Sequence, residues 1–124
     1  MARGHCLCGQ LRFEARGEPA WVSYCHCASC RRHAASPVTC FVNFPTERVA
    51  FEGVLTRYES SRGVTRSHCA TCGTPISYET VKRPGEIDLY LNAFEQPESF
   101  EPQGHAFYAE RIPWFDTRDE LPRK

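Results

Sequence analysis

Seven of the eight cysteines in this 124-residue chain fall into three tight groups, and no other feature limits the fold as strongly. Cys6 and Cys8 are spaced C-x-C, Cys25, Cys27 and Cys30 are spaced C-x-C-x-x-C, and Cys69 and Cys72 are spaced C-x-x-C; Cys40 stands alone. Thiolates one or two residues apart reach a single ion about 2.3 Å away, while the tight turn between them aims backbone N–H groups at the sulfurs. Glycine follows at Gly9 and Gly73, where a Cβ would resist the turn. Two pairs complete one tetrahedral four-sulfur site, so Cys6 and Cys8 are matched with Cys69 and Cys72. Such a closed site is structural and clamps segments about sixty residues apart. Reduced thiols or disulfides are the bland alternative.

The clamp matters because the rest of the chain offers a modest core. Residues 1–124 suit a single compact domain, and 41% hydrophobic content is set against 24% charged residues, nine prolines and eight glycines. Lysine plus arginine equals aspartate plus glutamate at 15 each, which removes the broad attraction expected of a nucleic-acid or membrane-surface binder. No run reaches the roughly 18 apolar residues needed to cross a bilayer, and no secretory leader is visible, so a cytoplasmic setting is expected. In that reducing compartment grouped thiols serve metal or redox chemistry rather than disulfides.

Period-two alternation predicts strands at 10–16, 21–25, 38–44, 48–51, 54–59, 65–69, 76–80 and 87–94, separated by turn chemistry such as Gly17-Glu18-Pro19 and Arg83-Pro84-Gly85. Only residues 28–35 read as a helical turn or two. The expected fold class is mainly β: a compact, zinc-stabilised fold of several short antiparallel sheets with minimal helix. Prolines at 97, 102, 113 and 122 interrupt the last part, and residues 116–124 form a charged tail expected to fray.

Cys25, Cys27 and Cys30 supply three ligands and leave a fourth position for water or substrate, the anatomy of a catalytic zinc. Three thiolates on a divalent ion leave the unit at a formal charge of about minus one and blunt its Lewis acidity. Lowering water from a pKa of about 15.7 is then hard, whereas a thiol near 8.5 needs only about one or two units, so thiolate chemistry is favoured over hydrolysis. The competing reading is a second structural zinc completed by Cys40, His26 or His33. His26, His33 and His68 each read as ligand, proton shuttle or, by default, solvated surface histidine. Cys40 reads as a buried small hydrophobe. Arg31 and Arg32 place two cations beside the trio for a substrate carboxylate, or are simply solvated. Tyr108, Trp114 and Phe115 either cover a pocket or, more ordinarily, pack.

Gly4-His5-Cys6-Leu7-Cys8-Gly9, Cys25-His26-Cys27-Ala28-Ser29-Cys30-Arg31-Arg32 and Cys69-Ala70-Thr71-Cys72-Gly73, in this order, resemble the glutathione-dependent formaldehyde-activating enzyme family, which includes centromere protein V-like proteins. The tail, with His105, Ile112-Pro113-Trp114-Phe115 and Asp119-Glu120-Leu121-Pro122, is similar too. The resemblance implies a mainly β fold with two zinc ions, structural roles for Cys6, Cys8, Cys69 and Cys72, and active-site roles for Cys25, Cys27 and Cys30. It also implies carbon–sulfur lyase activity, in which glutathione adds to formaldehyde to give S-hydroxymethylglutathione. Ala34, Ala35 and Ser36 stand where relatives often carry glycine, and His68 stands at a position often aromatic.

The expected partners are therefore a small-molecule thiol and aldehyde, with glutathione as substrate, neither membrane nor nucleic acid being engaged. Zinc is the expected metal because its ligands are soft sulfurs at knuckle spacing, with iron as competitor. The rival function is a noncatalytic zinc module that carries a thiol or binds a protein surface.

Overall fold

Short runs of alternating aromatic, β-branched and polar residues, cut by glycine and proline, fold as ten short strands and one α-helix in the computed structural model, which describes residues 1–124. The strands are β1 (Ala2–His5), β2 (Arg12–Ala15), β3 (Trp21–Cys25), β4 (Thr39–Pro45), β5 (Val49–Glu52), β6 (Leu55–Ser61), β7 (Val64–Cys69), β8 (Pro75–Thr80), β9 (Glu86–Tyr90) and β10 (His105–Ala106); the helix, α1, spans Ala28–Ala34. The fold is mainly β, as expected. It gathers the strands into a three-stranded sheet ordered β1-β2-β5 and a seven-stranded sheet ordered β10-β3-β4-β9-β8-β7-β6. Every pairing is antiparallel except that of β10 with β3.

The pleat of β4 and β9 divides the molecule into two packing layers. Val42, Phe44, Ile87 and Leu89 point to one face, where they meet Leu11, Phe13, Ala15 and Phe94 in the main core. Phe41 and Tyr90 point to the other, where they meet Cys25 and Cys30 in a smaller buried cluster under α1. Phe13 contacts Phe94 edge-on at a centroid distance of 5.1 Å, and Phe94 contacts Phe100 at 4.6 Å. The small sheet thus seals one face of the large one, and the cysteine-bearing helix seals part of the other.

Several elements differ from the expected boundaries. The run at 10–16 becomes strand only from Arg12, because Cys6 N–H and Leu11 C=O close a turn at 2.9 Å around the first cysteine pair. The run at 87–94 leaves the sheet after Tyr90 and tightens into a 3-10 turn at Leu91–Ala93. β1 and β10 were unforeseen, having no apolar alternation of their own; each exists because a neighbour supplies hydrogen bonds. The tail at 116–124, expected to fray, instead returns along β10: His105 N–H donates to Pro122 C=O at 2.7 Å, and Lys124 N–H donates to His105 C=O at 2.9 Å. No helix is long and apolar enough to cross a membrane.

Candidate metal and active site

Cys6 follows β1, Cys8 lies in the turn before β2, Cys69 ends β7 and Cys72 lies in the turn before β8, so two hairpin-like turns face each other with their sulfurs inward. The four Sγ atoms all lie within 4.8 Å of one another. Cys6 and Cys8 are 3.5 Å apart and Cys8 and Cys69 3.9 Å, bracketing the edge of about 3.8 Å of a tetrahedron with 2.3 Å zinc–sulfur bonds. Backbone N–H groups of Leu11, Thr71 and Cys72 donate to the sulfurs of Cys6 and Cys69 at 3.3–3.4 Å, as knuckles supporting a metal do. Gly9 and Gly73 adopt φ of +81° and +80°, the left-handed conformation that closes each turn. All eight cysteines are free.

The charge state of this knot is unbalanced without a cation. Hydrogen bonds from the Thr74 hydroxyl and nearby backbone pull Cys72 down to about 5. Cys8, despite a backbone bond at Gln10, is pushed up to about 12 by desolvation and the neighbouring sulfurs. Four soft donors at tetrahedral spacing fit a divalent, sulfur-seeking metal ion. The sequence pairing of these cysteines therefore matches the geometry.

The trio sits elsewhere, where β3 runs into α1. Cys25 and Cys30 are 7% and 4% exposed, whereas Cys27 is half-buried at the helix N-cap. Their sulfurs do not gather as tightly as those of the four-cysteine knot. The nearness of the Cys25 and Cys30 thiols holds Cys25 below the usual thiol range and, with burial, drives Cys30 well above it. Arg66 of β7 donates from Nη1 to Cys30 Sγ at 3.4 Å. Burial opposes the Arg66 charge, yet the bond to Cys30 more than offsets it. Tyr90, raised by burial and then by Cys30, belongs to the same buried cluster as Cys25 and Cys30 and pairs through its hydroxyl with His33 Nδ1 at 2.7 Å. His33 is held below the ordinary imidazole range by burial and by Arg66.

The histidine expectations need correction. His26 is 1% exposed, not a surface group, and its ring is 2.9 Å from His105 Nδ1, while His105 Nε2 is 3.0 Å from Asp119. With both rings neutral, His105 Nε2–H donates to the Asp119 carboxylate and His26 Nε2–H donates to His105 Nδ1. This leaves His26 Nδ1 buried with its lone pair unpartnered. Desolvation, then His105, lowers the His26 pKa. Tyr108 stands edge-on to both rings, whereas Trp114 is 76% exposed. Cys40 is half-buried against the main core.

The two arginines after the trio separate. Arg31 donates from Nε to His26 C=O and from Nη2 to Glu110 C=O, both at 3.0 Å, tying α1 to the C-terminal segment. Arg32 is exposed. A groove of about 720 Å³ runs along β3 and β10, lined by Ser23, His105, Phe107, Lys124 and the Glu110 that Arg31 contacts. Glu110 also accepts a bond at 3.1 Å from the Ala28 N–H at the start of α1. Arg66, Tyr90, His105 and Asp119 escaped the reading of the sequence as site residues because each lies far along the chain from the cysteines it serves or adjoins. The only local signal was an arginine inside an otherwise strand-like run at 65–69.

Comparison with known proteins follows the same residues. The family model described as glutathione-dependent formaldehyde-activating enzyme matches residues 1–110, which hold all three cysteine groups and Arg66. An uncharacterized lyase of Schizosaccharomyces pombe is 32% identical over 90 residues, and the match spans 71% of this chain and 66% of that protein. A crystal structure of a Rhodobacter sphaeroides protein is similar in fold, with a TM-score of 0.63 at 23% identity over 75% of this chain and 87% of that one.

Proposed function

The chain belongs to the glutathione-dependent formaldehyde-activating enzyme family, and from that membership we propose that it is a carbon–sulfur lyase-type enzyme joining glutathione, or a similar small thiol, to formaldehyde or another small aldehyde. The reaction forms one C–S bond and breaks the C=O π bond. The proton leaving the thiol ends on the aldehyde oxygen by way of solvent, so atoms and charge balance without an oxidant or reductant.

Two zinc ions complete the reading, one held by Cys6, Cys8, Cys69 and Cys72 and one by Cys25, Cys27 and Cys30. At the trio the metal, when bound, supplies stabilisation of the substrate as thiolate. The protein residues do the rest. Arg31 fixes α1 against the C-terminal segment through its two carbonyl contacts, and exposed Arg32 is the cation free to take a glutathione carboxylate. The groove along β3 and β10 accommodates the remainder of the tripeptide, with Lys124 at its side. A reducing cytoplasm suits a chain whose cysteines are all free.

The observation that carries this reading is a second cysteine cluster separate from the four-sulfur knot: Cys25 and Cys30 are buried together with Cys27 packed against them, beside a buried arginine that donates to Cys30. Cys27→Ser is the test. The variant should fold normally, retain one zinc of two, and lose at least about a hundredfold in the rate of S-hydroxymethylglutathione formation. Activity equal to wild type eliminates the mechanism. A wild-type protein that binds glutathione without accelerating its addition to formaldehyde would instead mark a thiol carrier.

A further inference from the structure

Arg66 is 5% exposed, and no carboxylate lies within ion-pair distance of it. The chain does not treat its other inward arginine this way: Arg83 faces Asp88 at 2.6 Å and Glu86 at 3.1 Å. What surrounds Arg66 is a hydroxyl, a ring face and a sulfur. Nε donates to Ser60 Oγ at 3.0 Å, the guanidinium lies 5.0 Å over the Tyr78 ring, and Nη1 donates to Cys30 Sγ at 3.4 Å. A neutral hydroxyl and an aromatic quadrupole leave a desolvated charge without a counter-ion. Of its hydrogen-bond and ring partners here, the Cys30 sulfur is the one that a bound metal ion would hold as an anion.

The charge of the neighbouring site has the opposite defect. Three thiolates around a divalent ion carry one excess negative charge, and a thiolate entering the fourth position would raise the excess to two. A fixed cation at Cys30 removes one unit in either state.

We propose that Arg66 is the counter-charge of the three-cysteine site, a positioning residue that braces Cys30 and lets the open position accept an anionic ligand, the class to which a substrate thiolate belongs. This rests on the reading of Cys25, Cys27 and Cys30 as one metal site. Lysine would keep the charge but lose the simultaneous grip on Ser60 and Cys30, and Ser60→Ala would keep the charge while loosening its aim.

The test compares zinc content, zinc loss to a chromogenic chelator, and glutathione binding by calorimetry in the full-length wild type, Arg66→Met, Arg66→Lys and Ser60→Ala. Wild type should hold two zinc ions. Arg66→Met should keep one at the wild-type rate, release the other at least about tenfold faster, and bind glutathione weaker by a similar factor. Arg66→Lys and Ser60→Ala should fall between. Two zinc ions released from Arg66→Met at wild-type rates overturn the inference and leave the reading of the trio intact. Equal acceleration for both ions, with no recovery in Arg66→Lys, marks a general loss of packing and also overturns it. A wild type with a single zinc removes the reading and the inference together. Should Arg66→Met fail to fold, Ser60→Ala decides: faster release of one ion supports the proposal, and unchanged release refutes it.

Discussion

Asp88 shows how one residue's cost is met by others. Its carboxylate is 3% exposed on β9, and it accepts from Asn43 Nδ2 at 2.7 Å and from Arg83 Nη2 at 2.6 Å. Asn43 is itself 1% exposed, so both polar groups survive burial only as a pair. Arg83 lies partly in water, which discounts its ion pair, but its removal strands a buried charge. Arg83→Ala is expected to cost about 2 kcal/mol, read as a lower urea midpoint at unchanged slope. Arg66 is the same kind of residue with the carboxylate replaced by a cysteine sulfur. Alternation placed Asp88 and Arg66 in strands, yet it carried no sign that either would be buried, because burial of a polar group depends on the partner brought to it from another element.

At the scale of elements, β10 and the chain end make one unit. Asp119 is held well below the ordinary carboxylate range, first by the Thr117 hydroxyl and then by His105. A carboxylate with a depressed pKa favours the docked tail above its undocked pKa of about 4, and the preference is lost as acid protonates it below that. The His105 and Lys124 amides are therefore expected to exchange more slowly than in Asp119→Asn at pH 6, with the difference vanishing in acid. Equal protection in the two proteins at pH 6 would show that backbone bonds alone hold the tail. Strands β2 to β8 were legible in the sequence to within a residue or two, and β9 at its start, since each carries its own alternation and turn residues. β1 and β10 were not, because four and two residues hold no periodic signal and form only against an existing edge.

At the scale of the whole molecule, the four-sulfur knot links the two sheets. It joins the turn after β1 to the turn before β8 across 61 residues between Cys8 and Cys69, and so fastens the small sheet to the large one. Zinc binding in small domains is worth about 10–16 kcal/mol, against a net stability of about 5–15 kcal/mol for an ordinary domain. Exhaustive chelation should abolish the β-sheet circular dichroism signal in one cooperative step, whereas Cys27→Ser should melt close to wild type. Retention of native dichroism with no metal left would show that the core at Phe13, Phe44 and Phe94 suffices by itself.

From the linear order of residues came the mainly β class and the gathering of Cys6 and Cys8 with Cys69 and Cys72 into a cluster that could hold a metal, because spacing within a turn and alternation within a strand are local properties that survive without neighbours. Tertiary structure alone decided that Arg66 and Tyr90 stand at Cys30, that His26 reaches Asp119 through His105, and that the tail closes over β10. Those contacts join groups from 14 to 79 positions apart, and a contact across such a loop is set by how the sheets pack, a relation that no single stretch of sequence contains.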